Sequence, residues 1–203
     1  MKAVDPSDLV EQENYKFLTG SIIPRPVAFV TTLSKDRVLN AAPFSYFNIV
    51  SANPPMISVS VQRSNGVMKD TSRNAIEHKE FVVHVADEFY LNQLNVTAKS
   101  LPSNVSEVED AKLTPVESLK IKVPGIQEAK VRMECILEKA ISLGGTEQEP
   151  ACELLIGRVV QYHIQEELYQ NGRIDAENLR PISRLAGNFY AKLGEMIELE
   201  RPK

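Results

Sequence analysis

The 203-residue chain has no tryptophan, two cysteines (Cys135 and Cys152), three histidines (His78, His84 and His163) and nine glycines. Two cysteines make no disulfide framework, and with three scattered histidines they offer no zinc-ligand spacing. No run reaches the roughly 18 apolar residues that a membrane-spanning helix needs. Met1 to Pro6 carries acid and proline where a secretory leader carries its apolar stretch. Positive charge is also scarce: 23 Lys and Arg stand against 27 Asp and Glu, for a formal net charge of −4. A surface that tracks nucleic-acid phosphates has no support in that balance. Neither a Rossmann fingerprint nor a P-loop occurs, so any bound phosphate must be held in another way. The absences predict one cytoplasmic domain over residues 1–203, with free thiols and no metal, membrane or nucleic-acid partner.

What the chain does have is strand chemistry. Val27 to Leu33 and Val38 to Ala42 are extended runs around the turn Ser34-Lys35-Asp36-Arg37, which predicts a hairpin. Tyr46 to Ser51 and Met56 to Gln62 flank Asn53-Pro54-Pro55, and Ile57-Ser58-Val59-Ser60-Val61 alternates strictly, so one face is buried and the other polar. Phe81 to Val85 is another strand, while Lys130 to Leu143 and Cys152 to Ile164 predict a long hairpin across Gly144-Gly145. Helices are predicted over Asn14–Ile23, Asp70–Lys79 with Asp70 or Thr71 as N-cap, and about 88–98; residues 99–124 read as mostly irregular. Tight turns between strands and few helices point to an antiparallel barrel or sandwich.

Three local features could carry chemistry. Lys69 and Arg73 flank the start of the 70–79 helix, the wrong end of the dipole for cations. An anion held there by Thr71, Ser72 and backbone N–H groups would explain them, as would two long side chains bending into solvent. Asn40-Ala41-Ala42-Pro43-Phe44-Ser45-Tyr46-Phe47 combines small residues with polar and aromatic ones, which suits either a heteroaromatic ligand or a self-packed strand end. Arg25 lies between Pro24 and Pro26, so its backbone is restricted before any ligand arrives. His84 and His163 lie in apolar strands and fit structural roles, and Cys135 and Cys152 fit buried inert thiols.

Together the runs Ser21 to Thr32, Asn40 to Phe47, Asn53 to Val61, Lys69 to Asn74, Glu80 to Val85 and Arg184 to Tyr190 resemble, in order and spacing, the flavin reductase-like family and its flavoredoxin-type branch. The resemblance implies a mainly β chain with inserted helices: an antiparallel Greek-key split β-barrel that binds FMN and forms a homodimer. By similarity, Arg25, Thr31, Thr32, Asn40, Ala41, Ala42, Pro43, Ser45, Ser58 and Ser60 line the ring and ribityl chain, and Lys69, Asp70, Thr71 and Asn74 take the phosphate. His84 stands where relatives often have asparagine, and Pro24 where serine or threonine is common. The implied activity is hydride transfer from NADH or NADPH to flavin or another acceptor, small molecule or protein. The alternative is a non-catalytic flavin-binding or electron-carrier module. Flavin chemistry needs no nucleophile or triad from the protein, which fits a chain so poor in reactive side chains.

Overall fold

The computed structural model describes residues 1–202. In chain order its main elements are α1 (Glu11–Ser21), β1 (Arg25–Pro26), β2 (Ala28–Leu33), β3 (Leu39–Phe44), β4 (Phe47–Ala52), β5 (Pro55–Gln62), α2 (Asp70–His78), β6 (Glu80–Val85), α3 (Leu91–Val96) and α4 (Glu107–Asp110). They continue with β7 (Pro115–Val116), β8 (Gly125–Ile126), β9 (Val131–Leu143), β10 (Cys152–Ile164), β11 (Tyr169–Gln170), β12 (Arg173–Ile174), α5 (Ala176–Leu179), β13 (Ile182–Arg184) and β14 (Tyr190–Lys192).

Seven strands form one antiparallel sheet in the order β3-β2-β6-β9-β10-β5-β4. β3 and β4 occupy opposite edges, yet only Ser45 and Tyr46 separate them in sequence. So short a link forces the two edges toward one another, and the sheet curls. The interior shows the same curl: Ala28 and Val30 of β2, Phe44 of β3, Ile57 and Val59 of β5, Phe81 and Val83 of β6, Cys135 of β9 and Leu155 of β10 meet in one buried cluster. Among the described residues β3 and β4 form no ladder with each other, so hydrogen bonds do not close the curl.

The strict alternation of β5 has the predicted outcome: Ile57, Val59 and Val61 are buried while Ser58 and Ser60 are partly exposed on the other face. β2 is buried on both faces because a second layer covers it. Phe29 and Ala41 point out of the curl into a cluster with Tyr90 and Leu94 near α3, Val108 of α4 and Ile126 of β8. α2 packs its apolar side, through Ala75 and Ile76, against the inner cluster. Lys69 rather than Asp70 or Thr71 takes the N-cap position of α2 and makes no side-chain cap bond. The reason lies in where the two capping candidates bond: the Asp70 carboxylate pairs with Arg73, and the Thr71 hydroxyl reaches Asn40 on β3. A small sheet, β1-β13-β14, ties the end of the chain to its beginning through Arg25 opposite Arg184.

Candidate functional site

Five polar side chains from four elements join in a buried network where α2 begins. Asn40 on β3 lies opposite Thr32 on β2, and the Asn40 carbonyl oxygen accepts from Thr32 Oγ1 at 3.2 Å and from Thr71 Oγ1 at 3.0 Å. Asn74, one helical turn beyond Thr71, donates its amide to Thr32 Oγ1 at 3.2 Å. The Asn40 amide in turn donates to Glu107 Oε2 at 3.0 Å, and the Ala41 backbone N–H donates to the same oxygen at 3.2 Å. Four of the five residues were expected at the site from the sequence. Glu107 was not, because it falls within residues 99–124, which read as mostly irregular. The network fixes the register of α2 on the sheet, since each residue that bonds is buried and costly to leave unpaired.

Two clefts open beside this network. One, of about 500 Å³, is lined by Asn40, Ala42, Lys69, Asp70, Thr71 and Glu107. The other, of about 750 Å³, is lined by Tyr15, Ser45, Leu91, Asn92, Arg184 and Tyr190. Pro43, Phe44 and Ala98 belong to both, so the clefts adjoin and run from the start of α2 toward the C-terminal segment. Arg184 stacks over Tyr190, with its guanidinium carbon 4.5 Å from the ring centre. Asn92 and Asn188 add amide groups to that wall. Tyr15, Leu91, Asn92, Asn188 and Tyr190 were not singled out as site residues from sequence; the Arg184 to Tyr190 run was the one signal that pointed here.

The other expected residues lie apart from the clefts in one chain. Arg25 is buried and donates to the carbonyls of Thr19 at 2.7 Å, Ile22 at 2.6 Å and Leu185 at 2.9 Å, with Ser45 Oγ at 3.4 Å from its Nε. Its position therefore clamps α1, the β3–β4 link and the C-terminal segment that together wall the larger cleft. Thr31 is fully buried and donates to the Pro124 carbonyl at 2.7 Å, and Ala41 is fully buried. Ser58 and Ser60 lie on the outward face of β5 beside the exposed strand β4.

A model of the flavin reductase-like domain matches residues 19–178. The chain belongs to this family. Relatives match it along nearly its whole length. YwrF of Bacillus subtilis is 52% identical over 196 residues, covering 96% of each chain. The crystal structure of nitrilotriacetate monooxygenase component B from Bacillus cereus is 66% identical, covers 98% of each chain and superposes with a TM-score of 0.97. The Pseudomonas fluorescens 2-nitrobenzoate 2-nitroreductase NbaA is 30% identical, covers 99% of this chain and 96% of its own, and gives a TM-score of 0.89.

Within this flavin reductase-like chain the charges around the smaller cleft are unevenly matched. Arg73 is neutralised by Asp70 and Lys99 by Asp110, but Lys69 forms no ion pair among the described residues. Burial raises the Glu107 pKa, and the charge of Asp70 adds to that rise, while hydrogen bonds from its own backbone, Ala41 and Asn40 pull it down. Ser72 Oγ, in the first turn of α2, is sealed from solvent and has no hydrogen-bond partner. Two titratable groups elsewhere are fixed inside the fold. His84 is fully buried and bonded through both ring nitrogens, and burial raises the Cys135 thiol far above its ordinary value. Cys152 is partly exposed rather than buried, since β10 turns its first residue toward the hairpin end. Among the described residues no group of three or more His, Cys, Asp or Glu is placed to hold a metal, and no helix is long and apolar enough to cross a membrane.

Proposed function

We propose that this chain is a cytoplasmic FMN-dependent oxidoreductase that accepts hydride from NADH or NADPH and passes electrons to flavin or another acceptor. The observation that carries the reading is the continuity of the two clefts across Pro43, Phe44 and Ala98. It offers an elongated site with an anion-binding end and an aromatic end, which is the shape and polarity that a flavin mononucleotide requires. The curled, unclosed sheet supports a split barrel in which the cofactor lies along the rim rather than inside.

The residues present suit the group. Lys69, unpaired and beside the α2 N-terminus, supplies a cation and free backbone N–H groups for a phosphate. The Thr71 hydroxyl lines the same cleft but is already committed to Asn40. Asn40 is held rigidly by Thr32, Thr71 and Glu107, so its position costs no further ordering when a ligand arrives. A bound flavin would supply the hydride and electron chemistry, which no side chain here provides. The protein's own part is to bind, orient and exclude water. Tyr15, Leu91 and Tyr190 give apolar area for a second ring, and Arg184, Asn92 and Asn188 give it polar anchors, so the larger cleft suits the reductant or the acceptor. The relatives in hand, a monooxygenase component and a nitroreductase, support a redox role but differ in what they serve.

The test is the visible spectrum of the purified chain with FMN, recorded anaerobically before and after NADH and NADPH. A flavin spectrum that one nicotinamide bleaches is the expected outcome. Bound flavin that neither nicotinamide bleaches would leave the carrier reading, and no flavin binding at all would sink both.

A further inference from the structure

We propose that Glu107 sets cofactor selectivity in the smaller cleft. Its carboxylate opposes the dianionic phosphate of FMN, so FMN stays exchangeable while phosphate-free flavin is unaffected. The inference rests on the flavin reading above and refines it.

Glu107 opens α4, which packs on β3, and it is only 5% exposed, yet it lines the cleft shared by Lys69, Asp70 and Thr71. Two donors, Asn40 Nδ2 and the Ala41 N–H, hold Oε2 in place. Oε1 makes no hydrogen bond to another described residue and is not among the sealed, unpartnered atoms, so it is the oxygen open to the cleft. Among the described residues no cation pairs with Glu107. Of the charged groups around the cleft, Arg73 is committed to Asp70 and Lys99 to Asp110, which leaves Lys69 and Glu107 as the charges without an ion-pair partner that line it among the described residues.

A phosphate ester that enters brings roughly −1.5 to −2 charges at neutral pH. It therefore meets one uncompensated cation and one uncompensated anion. Like charges placed together in a partly dry site cost affinity, and the carboxylate cannot swing away because Asn40 and Ala41 hold it. The remaining escape is protonation. Burial and the nearby Asp70 already hold Glu107 above the ordinary carboxylate range, and an incoming dianion raises it further. On protonation Oε1 becomes a donor into the cleft and the repulsion ends. FMN binding should therefore take up a proton and weaken as pH rises, whereas riboflavin, which lacks the phosphate, should show neither effect.

The experiment titrates FMN and riboflavin separately into wild type, Glu107→Gln and, for direction, Lys69→Ala. Gln keeps an oxygen for Asn40 and Ala41 while it removes the charge. At about pH 8, Glu107→Gln is expected to tighten FMN about tenfold and to leave riboflavin within about twofold of wild type. The gap should narrow at about pH 6, where wild-type Glu107 is more readily protonated. Lys69→Ala should shift FMN the other way. Calorimetry of the wild type at about pH 8 in buffers of different ionisation enthalpy should show proton uptake with FMN and none with riboflavin; at that pH the phosphate is already fully ionised. This measurement needs no variant to fold. Equal shifts for the two flavins in Glu107→Gln, or FMN binding without proton uptake, overturn the proposal and leave the flavin site standing. A wild-type chain that binds neither flavin overturns the flavin reading itself.

Discussion

His84 shows how one titratable side chain becomes a fixed strut. Its Nδ1 lies 2.8 Å from the Phe29 carbonyl and so carries the proton, and its Nε2 accepts from the Ile126 N–H at 2.8 Å. The neutral ring thus joins β2, β6 and β8, and protonation would set a donor against a donor. Full burial pushes its pKa down to about 4; the bond to Phe29 pulls it up, and the charges of Arg132 and His163 push it further down. A histidine depressed in the fold stabilises fully above its unfolded value near 6.5, and that stability drains away as pH falls toward about 4. Over that window the loss amounts to roughly 3 kcal/mol. Urea unfolding of wild type and His84→Asn between about pH 7 and pH 4 should show it. Asn costs about 1–3 kcal/mol at neutral pH through weakened bonds to Phe29 and Ile126, but the penalty should shrink as the medium is acidified. A penalty that stays constant with pH would mean that His84 does not titrate in this way.

At the scale of elements, the long β9–β10 hairpin depends on a residue with no side chain. Its ladder shifts register between Ile156 and Gly157, and a Cβ built on Gly157 would lie 2.3 Å from Phe81 Cζ and 3.2 Å from Cys135 Cβ. Phe81 is fully buried in the inner cluster, so its ring has no free space to move into. Gly157→Ala should therefore lower stability by about 1–3 kcal/mol in urea, and adding Phe81→Leu should restore part of it. No recovery in the double variant would show that backbone strain, not the ring, sets the cost.

The same scale shows what could be read from residues alone. The strands of the main sheet and α2 were legible because their patterns are local: β10 spans Cys152–Ile164 as predicted, and α2 differs by one residue at its end. The β1-β13-β14 sheet was not, since strands of two or three residues carry no periodicity and their partners lie at opposite ends of the chain. At the site, Asn40, Thr71 and Asn74 stood out as polar residues in apolar or helix-start settings. Glu107 did not, because its burial is imposed by α4 packing on β3 within a span that reads as mostly irregular. Ala42, Pro43 and Ser45 were singled out as part of a run that mixes small, polar and aromatic residues, while the fold adds Tyr15 to the same cleft wall.

On the scale of the whole molecule, one copy leaves a large apolar surface uncovered. β4 is an edge strand with Ile49 77% and Val50 46% exposed, and α1 and its exit expose Tyr15, Phe17, Leu18, Ile22 and Ile23. An unpaired, apolar edge left bare invites uncontrolled association, and pairing with a second copy across a two-fold axis is the ordered way to cover it. We therefore expect a homodimer of twice the 22.7 kDa chain mass in light scattering at micromolar concentration. Ile49→Lys should yield monomers with an unchanged far-ultraviolet circular dichroism spectrum, because the side chain it replaces makes little contact within its own chain. A wild-type monomer would end this expectation. The variant also bears on Ser58 and Ser60, which line neither cleft in a single chain yet face outward beside β4, with Ser58 opposite Asn48. If those serines meet the cofactor, they do so from a second copy, so the monomeric variant should bind FMN more weakly than wild type. A monomer with undiminished affinity would place the whole cofactor site within one chain.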